Sequence, residues 1–357
     1  MLIVSWVAVR IAQVFGVRPG SVSQFPDSRG EDMKAVVQDV YGPSGVLGLR
    51  EIDRPAIGED EVLVRVCAAG VDPGVWHLMT GEPYLVRAMG FGLRKPKVAV
   101  RGRDVAGVVE AAGAGVTRFG PGDQVYGTCE SGSFAEYAAA PQKRLAAKPA
   151  NLSFEQAAVV PISGVTALQG VRDCGRVQPG QQVMVIGAAG GVGSFAVQIA
   201  KALGARVTGV CSTSKARLVR SLGADDVIDY THDEIDCNGG RYDVIIDTAG
   251  NRRLSLLRRA MTPHGTLVLV GGEHGGGRVL GGFDRQLRAP LVSMFVRQRL
   301  RGLVAKERAE DLEALTRLIE SGAVTPVIDR TYALADTPDA VRYLAEGHAA
   351  GKVAVTV

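Results

Sequence analysis

The stretch 182-QVMVIGAAGGVGSFAVQIAKALGARVTGVCS-212 decides how this chain folds. It opens on a short apolar run, turns through glycines, continues with helical texture and ends on a second apolar run. Gly190, Gly191 and Gly193 stand where a chain must turn tightly, admit a pyrophosphate to its backbone and pack a helix on a strand. A helix starting there aims unpaired N–H groups and the positive end of its dipole at the phosphates. The first glycine of the usual fingerprint is replaced by Ala188. The succession strand, glycine turn, helix, strand carries the reading in its place, and predicts a dinucleotide-binding βαβ unit.

The end of the second strand selects the dinucleotide. A site for NAD(H) usually places Asp or Glu there to hold the ribose hydroxyls. Here the sequence is 209-GVCSTSKARL-218, and no carboxylate occurs between Val207 and Asp225. Ser212, Ser214 and Lys215, with Arg217 behind them, can instead donate hydrogen bonds and positive charge to a 2′-phosphate. The pattern predicts NADP(H), although Lys215 also reads as a solvated residue on a helix face.

Working outward, the alternation continues through 226-DVIDY-230, 242-YDVIIDTA-249 and 265-GTLVLVGG-272, with helical segments at 214–223 and 252–261. Near-continuous Val/Ile runs suit strands of a parallel sheet buried on both faces. An apolar helix is expected over 152-LSFEQAAVVPISGVTALQGV-171, capped by Ser153. Residues 33–150 are different: short apolar runs such as 62-VLVRVCA-68, 105-VAGVVEAA-112 and 134-FAEYAAA-140 alternate with Gly/Pro turns, as in a sandwich or partly open barrel. The segment 81-GEPYLVRAMGFGLRKPK-97 reads as a loop over a cleft, and 271-GGEHGGG-277 as another loop. After the amphipathic helix 307-ERAEDLEALTRLIESGAV-324, the tail 325–357 shows no βαβ rhythm and reads as rejoining the first lobe.

Composition sets limits. The chain has 357 residues, 46% apolar and 22% charged, with a net charge of +4. That charge is too small and too spread for nucleic acid, which needs a concentrated basic face. The arginines of 252-RR-253 and 297-RQRLR-301 read as solvated surface. Five scattered cysteines (Cys67, Cys129, Cys174, Cys211 and Cys237) form no CxxC and fit a reducing, cytoplasmic setting. The opening 1-MLIVSWVAVRIAQVFGV-17 is interrupted by Arg10 and Gln13 and is too short for a membrane span. Residues 1–32 read as an extension outside the fold, with Met33 as the natural start; a membrane-touching amphipathic helix is the lesser alternative.

The chain resembles the medium-chain dehydrogenase/reductase superfamily, and more closely its zinc-independent quinone oxidoreductase branch. The resemblance covers about residues 33–357 and rests on 119-FGPGDQVYG-127, 134-FAEYAAAP-141, 161-PISGVTALQGV-171, 187-GAAGGVGSFAVQIAKALGA-205, 222-LGADDVIDY-230 and 351-GKVAVTV-357. It implies an α/β fold: a GroES-like β-rich catalytic domain over 33–155, completed by 325–357, and a doubly wound Rossmann domain over 156–324. It also implies hydride transfer from a nicotinamide in the cleft between them. Carried over residue by residue, Thr166 and the pair Val270–Gly271 would line the nicotinamide pocket. Ala189, Gly190, Gly191 and Val192, in a turn packed through Gly193, would hold the pyrophosphate. Ser212, Lys215 and Tyr230 would surround the 2′-phosphate, and Lys352 would close from the tail. A homodimer, with 291-LVSMFV-296 as a sheet-edge strand, is implied by analogy.

Zinc-dependent members bind the metal through Cys, His and a further Cys or acid. Here the Cys position after 68-AAGV-71 is Asp72, and the His of the usual Gly-His-Glu is Arg103 in 102-GRD-104. Arginine stays protonated and cannot ligate a metal. No metal is therefore expected, and Cys67 reads as a small buried hydrophobe. Without zinc, hydrogen-bond donors must polarise a substrate carbonyl. The candidates are Tyr84 and His77, with Asp72 orienting the substrate or the nicotinamide ribose. Each also has a plain structural reading: Tyr84 as packing, His77 as a core histidine, Asp72 as a turn residue before Pro73. The segment 85-LVRAMGFGLRKPKVAV-100 points to a remodelled substrate pocket. The expectation is an NADPH-dependent oxidoreductase of quinones, enones or related activated carbonyls and alkenes. The alternatives are a zinc-type alcohol dehydrogenase and a nucleotide-binding protein with little catalysis.

Overall fold

The computed structural model describes residues 32–235, 242–270, 281 and 283–357. The extension before Asp32, Cys237, Gly271 and the 271–277 loop lie outside the described residues. The remaining cysteines, Cys67, Cys129, Cys174 and Cys211, are free thiols, and Cys67 is half-buried, less enclosed than expected.

The first lobe begins with a hairpin of β1 (Asp32–Val37) and β2 (Gly48–Asp53). Its main sheet contains β3 (Glu61–Val71), β4 (Asp104–Ala112), β5 (Gln124–Thr128), β6 (Tyr137–Pro141) and β7 (Leu145–Ala147). The strand read at 134–140 thus starts later, at Tyr137. The tail supplies β14 (Ile328–Ala333) and β15 (Lys352–Thr356) to this sheet; β15 pairs antiparallel with β3, Val353 opposite Val71. Helix α1 (Pro73–Thr80) leaves β3 directly. The segment read as one helix over 152–171 is two, α2 (Phe154–Ala158) and α3 (Pro161–Leu168), because Pro161 cannot continue a preceding helix. Ser153 caps α2 in a capping box: its hydroxyl accepts from the Gln156 amide at 3.2 Å, and the Gln156 side chain accepts from the Ser153 amide at 3.0 Å.

The second lobe alternates β8 (Gln182–Ile186), α4 (Gly191–Ala202), β9 (Arg206–Cys211), α5 (Ala216–Ser221), β10 (Asp226–Asp229), β11 (Tyr242–Asp247), α6 (Leu254–Ala260), β12 (Met261–Leu269), α7 (Phe283–Ser293) and β13 (Arg299–Gly302). These six parallel strands lie in the order β10-β9-β8-β11-β12-β13, a doubly wound sheet whose order reverses between β8 and β11. The run 291–296 is not a strand: it is the end of α7 and a turn, with the Phe295 amide bonded to the Val292 carbonyl at 3.1 Å. Helix α8 (Ala309–Glu320) and α9 (Thr337–Ala345) complete the fold.

One buried cluster spans both lobes. Ala68, Ala106 and Tyr126 of the first sheet pack with Val165, Leu168, Val185, Phe195 and Leu315. The Tyr126 hydroxyl donates to the Leu312 carbonyl at 2.8 Å and meets the Thr316 hydroxyl at 2.9 Å, so β5 is bonded to α8 as well as packed on it. The two lobes are thus joined by a packed and hydrogen-bonded contact.

Candidate active site

The cleft opens at the strand-order reversal, has a volume of about 660 Å³, and is walled by both lobes and the tail. Gly187, Ala189, Gly190, Gly191 and Val192 line its middle. The left-handed turn expected of the missing first glycine is made by Gly187, at φ 78°. Gly193 does not line the cleft; a Cβ there would sit 2.0 Å from the Gly187 carbonyl, so this glycine lets α4 pack on the turn. The first amides of α4 have no intrahelical acceptors and point at this stretch of cleft. The cradle fits a pyrophosphate.

The far end is lined by Ser212, Lys215, Tyr230, Asn251 and Arg252. Ser212 and Ser214 hydroxyls lie 3.3 Å apart. Lys215 Nζ donates to the Ala349 carbonyl at 2.9 Å, and burial lowers its pKa despite the attraction of Asp329. Asp225 is turned away, holding Lys201 Nζ at 2.9 Å and the Val207 amide at 2.7 Å. Arg252, read as solvated surface, borders the cleft with its guanidinium 5.7 Å from the Tyr230 ring centre.

The near end holds Thr166, Val270, Asp72, His77 and Lys352. Asp72 caps α1, its Oδ1 accepting from the Gly74 amide at 2.7 Å, while Oδ2 is buried without a hydrogen-bond partner among the described residues. His77 Nδ1 lies 2.8 Å from the Glu82 carbonyl, which can only accept, so the neutral ring carries its proton on Nδ1. Tyr84 is not brought here: it is 42% exposed, outside the cleft lining, with the Arg87 guanidinium 4.9 Å from its ring. The segment read as a loop over 81–97 is helical from Tyr84 to Phe91, and contributes Val86 and Phe91 instead.

The tail ties the halves together. Gly351 donates its amide to Ala189 at 2.8 Å and bridges to Gly190. Lys352 Nζ then faces Asp104 Oδ2 at 3.5 Å, in a fully buried pair. Asp104 Oδ1 accepts from the Ile162 amide at 2.9 Å. Burial pushes the Asp104 carboxyl up to about 7, with the Lys352 ammonium acting the other way.

From the sequence, Arg103 reads only as a missing metal ligand. In the structure it borders the cleft, and its Nη2 donates to Glu307 at 2.8 Å. Glu307 also accepts from the Thr128 hydroxyl at 2.8 Å and pairs with Arg144 at 3.3 Å. Cys129 is buried behind, its thiol pushed up to about 12 by desolvation, far from the thiolate a metal needs. Among the described residues no three His, Cys, Asp or Glu side chains are grouped to hold a metal.

Comparison with known proteins agrees with this architecture. Residues 58–150 match the alcohol dehydrogenase GroES-like domain family, and residues 222–355 the zinc-binding dehydrogenase family. The chain is 34% identical to a chloroplastic NADPH-dependent alkenal/one oxidoreductase of Arabidopsis thaliana, over 91% of this chain and 80% of the relative. It is 31% identical to a chloroplastic quinone oxidoreductase of Triphysaria versicolor, over 91% and 99% of the two chains. The quinone oxidoreductase structure from Coxiella burnetii superposes with a TM-score of 0.79 at 28% identity, covering 92% of this chain and all of that one. Taken with the glycine cradle and the two-lobed cleft, these likenesses place the chain in the medium-chain dehydrogenase/reductase superfamily, in its quinone oxidoreductase-like branch.

Proposed function

We propose that this chain is a zinc-independent, NADPH-dependent reductase of quinones, enones or related activated carbonyls and alkenes. The observation that carries the reading is the pairing of two ends of one cleft: hydroxyls and Lys215 without a carboxylate at one, Arg103 in the place of a ligand histidine at the other. The bound nicotinamide supplies a hydride; the chain's residues supply position and electrostatics. In this reading the turn from Ala189 to Val192 holds the pyrophosphate. Ser212, Lys215, Tyr230 and Arg252 surround the 2′-phosphate. Thr166 and Val270 border the nicotinamide. Asp72, which lines the cleft, orients the nicotinamide ribose or the substrate. His77 donates to substrate only as the imidazolium, because its neutral form has no proton on the second nitrogen.

The division into a catalytic part, 33–155 with 325–357, and a cofactor part, 156–324, belongs to the same proposal and is supported by sheet membership. A reducing, cytoplasmic setting is proposed from the free thiols. The described residues hold no helix long and apolar enough to cross a membrane. A homodimer is proposed from the apolar turn after α7.

The test is NADPH oxidation against a panel of quinones and enones, with and without a chelator, repeated with NADH. Turnover indifferent to chelation and favouring NADPH is expected. Activity lost on chelation favours the zinc alcohol dehydrogenase reading. Tight NADPH binding with no acceptor reduced favours the non-catalytic one.

A further inference from the structure

We propose that Arg103 forms an oxyanion-binding site, taking the oxygen of an acceptor substrate as that oxygen becomes an enolate or phenolate. The proposal rests on the reductase reading above and names the part of the cleft that receives the substrate oxygen.

Three observations carry it. Arg103 borders the cleft beside Asp72 and His77, with its side chain mostly buried and held in one orientation. Only Nη2 is engaged, on Glu307; Nε and Nη1 make no hydrogen bond among the described residues, yet are not enclosed. Glu307 is itself fixed, by Thr128, by Arg144 and by its neighbour Lys306, whose amide and carbonyl both bond the Gln169 side chain at 2.9 and 2.7 Å. Sharing Glu307 with Arg144 also divides the carboxylate's charge between two guanidiniums. What remains is a rigid cation presenting free N–H donors to a partly desolvated cleft, the arrangement that stabilises charge developing on oxygen. The Asp72 carboxylate cannot donate, neutral His77 has no second N–H, and Lys352 Nζ is buried against Asp104, so Arg103 is the cationic donor open to the cleft at this end, with the Thr166 hydroxyl as a neutral one.

The charge balance is explicit. Hydride addition to the β-carbon of an enone shifts the alkene pair toward the carbonyl and leaves one negative charge on its oxygen. A solvent proton on the α-carbon then completes the saturated ketone. Arg103 meets the charge between these events and stays protonated throughout.

Binding of 4-nitrophenol, an ionisable mimic of the charged oxygen, separates this role from a merely structural ion pair. At a pH below the free phenol's pKa, the wild-type chain with oxidised dinucleotide is expected to bind it as phenolate, seen as the visible phenolate band. Arg103→Gln is expected to bind it roughly 10- to 100-fold more weakly and without the band, the loss of a hydrogen bond to a charged group. Arg103→Lys should keep the charge and part of the band. Thermal melting shows whether either variant folds. An unchanged band and affinity in a folded Arg103→Gln overturns the proposal. Because no turnover is read, a chain that reduces no acceptor leaves this result standing, and the two proposals fail separately.

Discussion

Lys215 carries the sharpest residue-scale consequence. In the free chain its ammonium rests on the Ala349 carbonyl, and burial holds its pKa below the ordinary lysine value. A 2′-phosphate would raise that pKa, so NADPH binding favours the protonated lysine. NADPH affinity should fall as pH rises through the depressed pKa, while NADH affinity stays level. Titrating both affinities by nucleotide fluorescence checks this; Lys215→Ala should abolish the difference and cost NADPH about 2 kcal/mol. Equal losses for both nucleotides would show that Lys215 does not read the phosphate. The Asp104–Lys352 pair has the opposite sign to most carboxylates. The folded carboxyl holds its proton up to about pH 7, whereas an unfolded aspartate releases it near 3.9. Between those values the folded chain binds more protons, so this group's contribution to stability is full below about pH 4 and is lost as pH rises toward 7. Urea midpoints at several pH values should show that decline, and Asp104→Asn should remove it. Above about pH 7, where Asp104 is ionised, Asp104→Asn also leaves Lys352 buried without a counter-charge, at a cost of about 3–5 kcal/mol, part of which Asp104→Asn with Lys352→Met should restore. The glycine turn was readable because its parts lie within a few residues of one another, and Ser212 and Lys215 because they follow the end of β9 directly. Arg103–Glu307 is separated by 204 positions and Asp104–Lys352 by 248, so no spacing rule joins them.

At the scale of elements, two segments shape the site. The C-terminal carbonyls of α1 are gathered by side chains from elsewhere. Arg101 bonds Leu78, Gln38 bonds Met79, and Arg87 bonds both Thr80 and Gly81. Cationic donors at a helix C-terminus suit its dipole, and they fix the turn that carries His77 and Leu78 into the cleft. The second segment is the tail at Gly351, whose φ is 102° and where a Cβ would meet the Val327 carbonyl at 2.5 Å. Gly351→Ala is expected to cost about 1–3 kcal/mol of stability through backbone strain. Because Gly351 bonds Ala189 and bridges Gly190, the same change should also weaken NADPH binding. A denaturation midpoint and a dissociation constant measured on one preparation check both; a stability loss with unaltered cofactor affinity would mean the tail does not set the phosphate turn. Helix and strand identities in the second lobe were legible from periodicity, but 291-LVSMFV-296 was not. A short apolar run fits either state, and here its first residues continue α7 around Pro290 before turning.

For the whole molecule, that misread turn is where association is expected. Leu291 is 58% exposed, Met294 69% and Phe295 85%, side by side at the end of α7. Adjacent apolar groups this exposed mark a contact surface more often than isolated ones do. Strand β13 borders the sheet edge, pairing only with β12 among the described strands, but it carries Arg299 and Arg301. Charged side chains on an edge oppose strand-to-strand pairing, so the apolar turn, not the edge, is the better candidate to hold two copies together. Arg297 and Arg299, both exposed, follow the turn directly in sequence, so two copies meeting at the turn are expected to bring like charges near one another. Added salt screens that repulsion, so association should tighten from low to moderate ionic strength, opposite to an interface built on ion pairs. Sedimentation velocity across a salt series measures this directly. Phe295→Glu should give monomers at every salt concentration while leaving NADPH affinity unchanged, because the turn lies outside the cleft lining. Wild-type chains that sediment as monomers throughout, or dimers indifferent to Phe295→Glu, would remove this surface from the account of assembly.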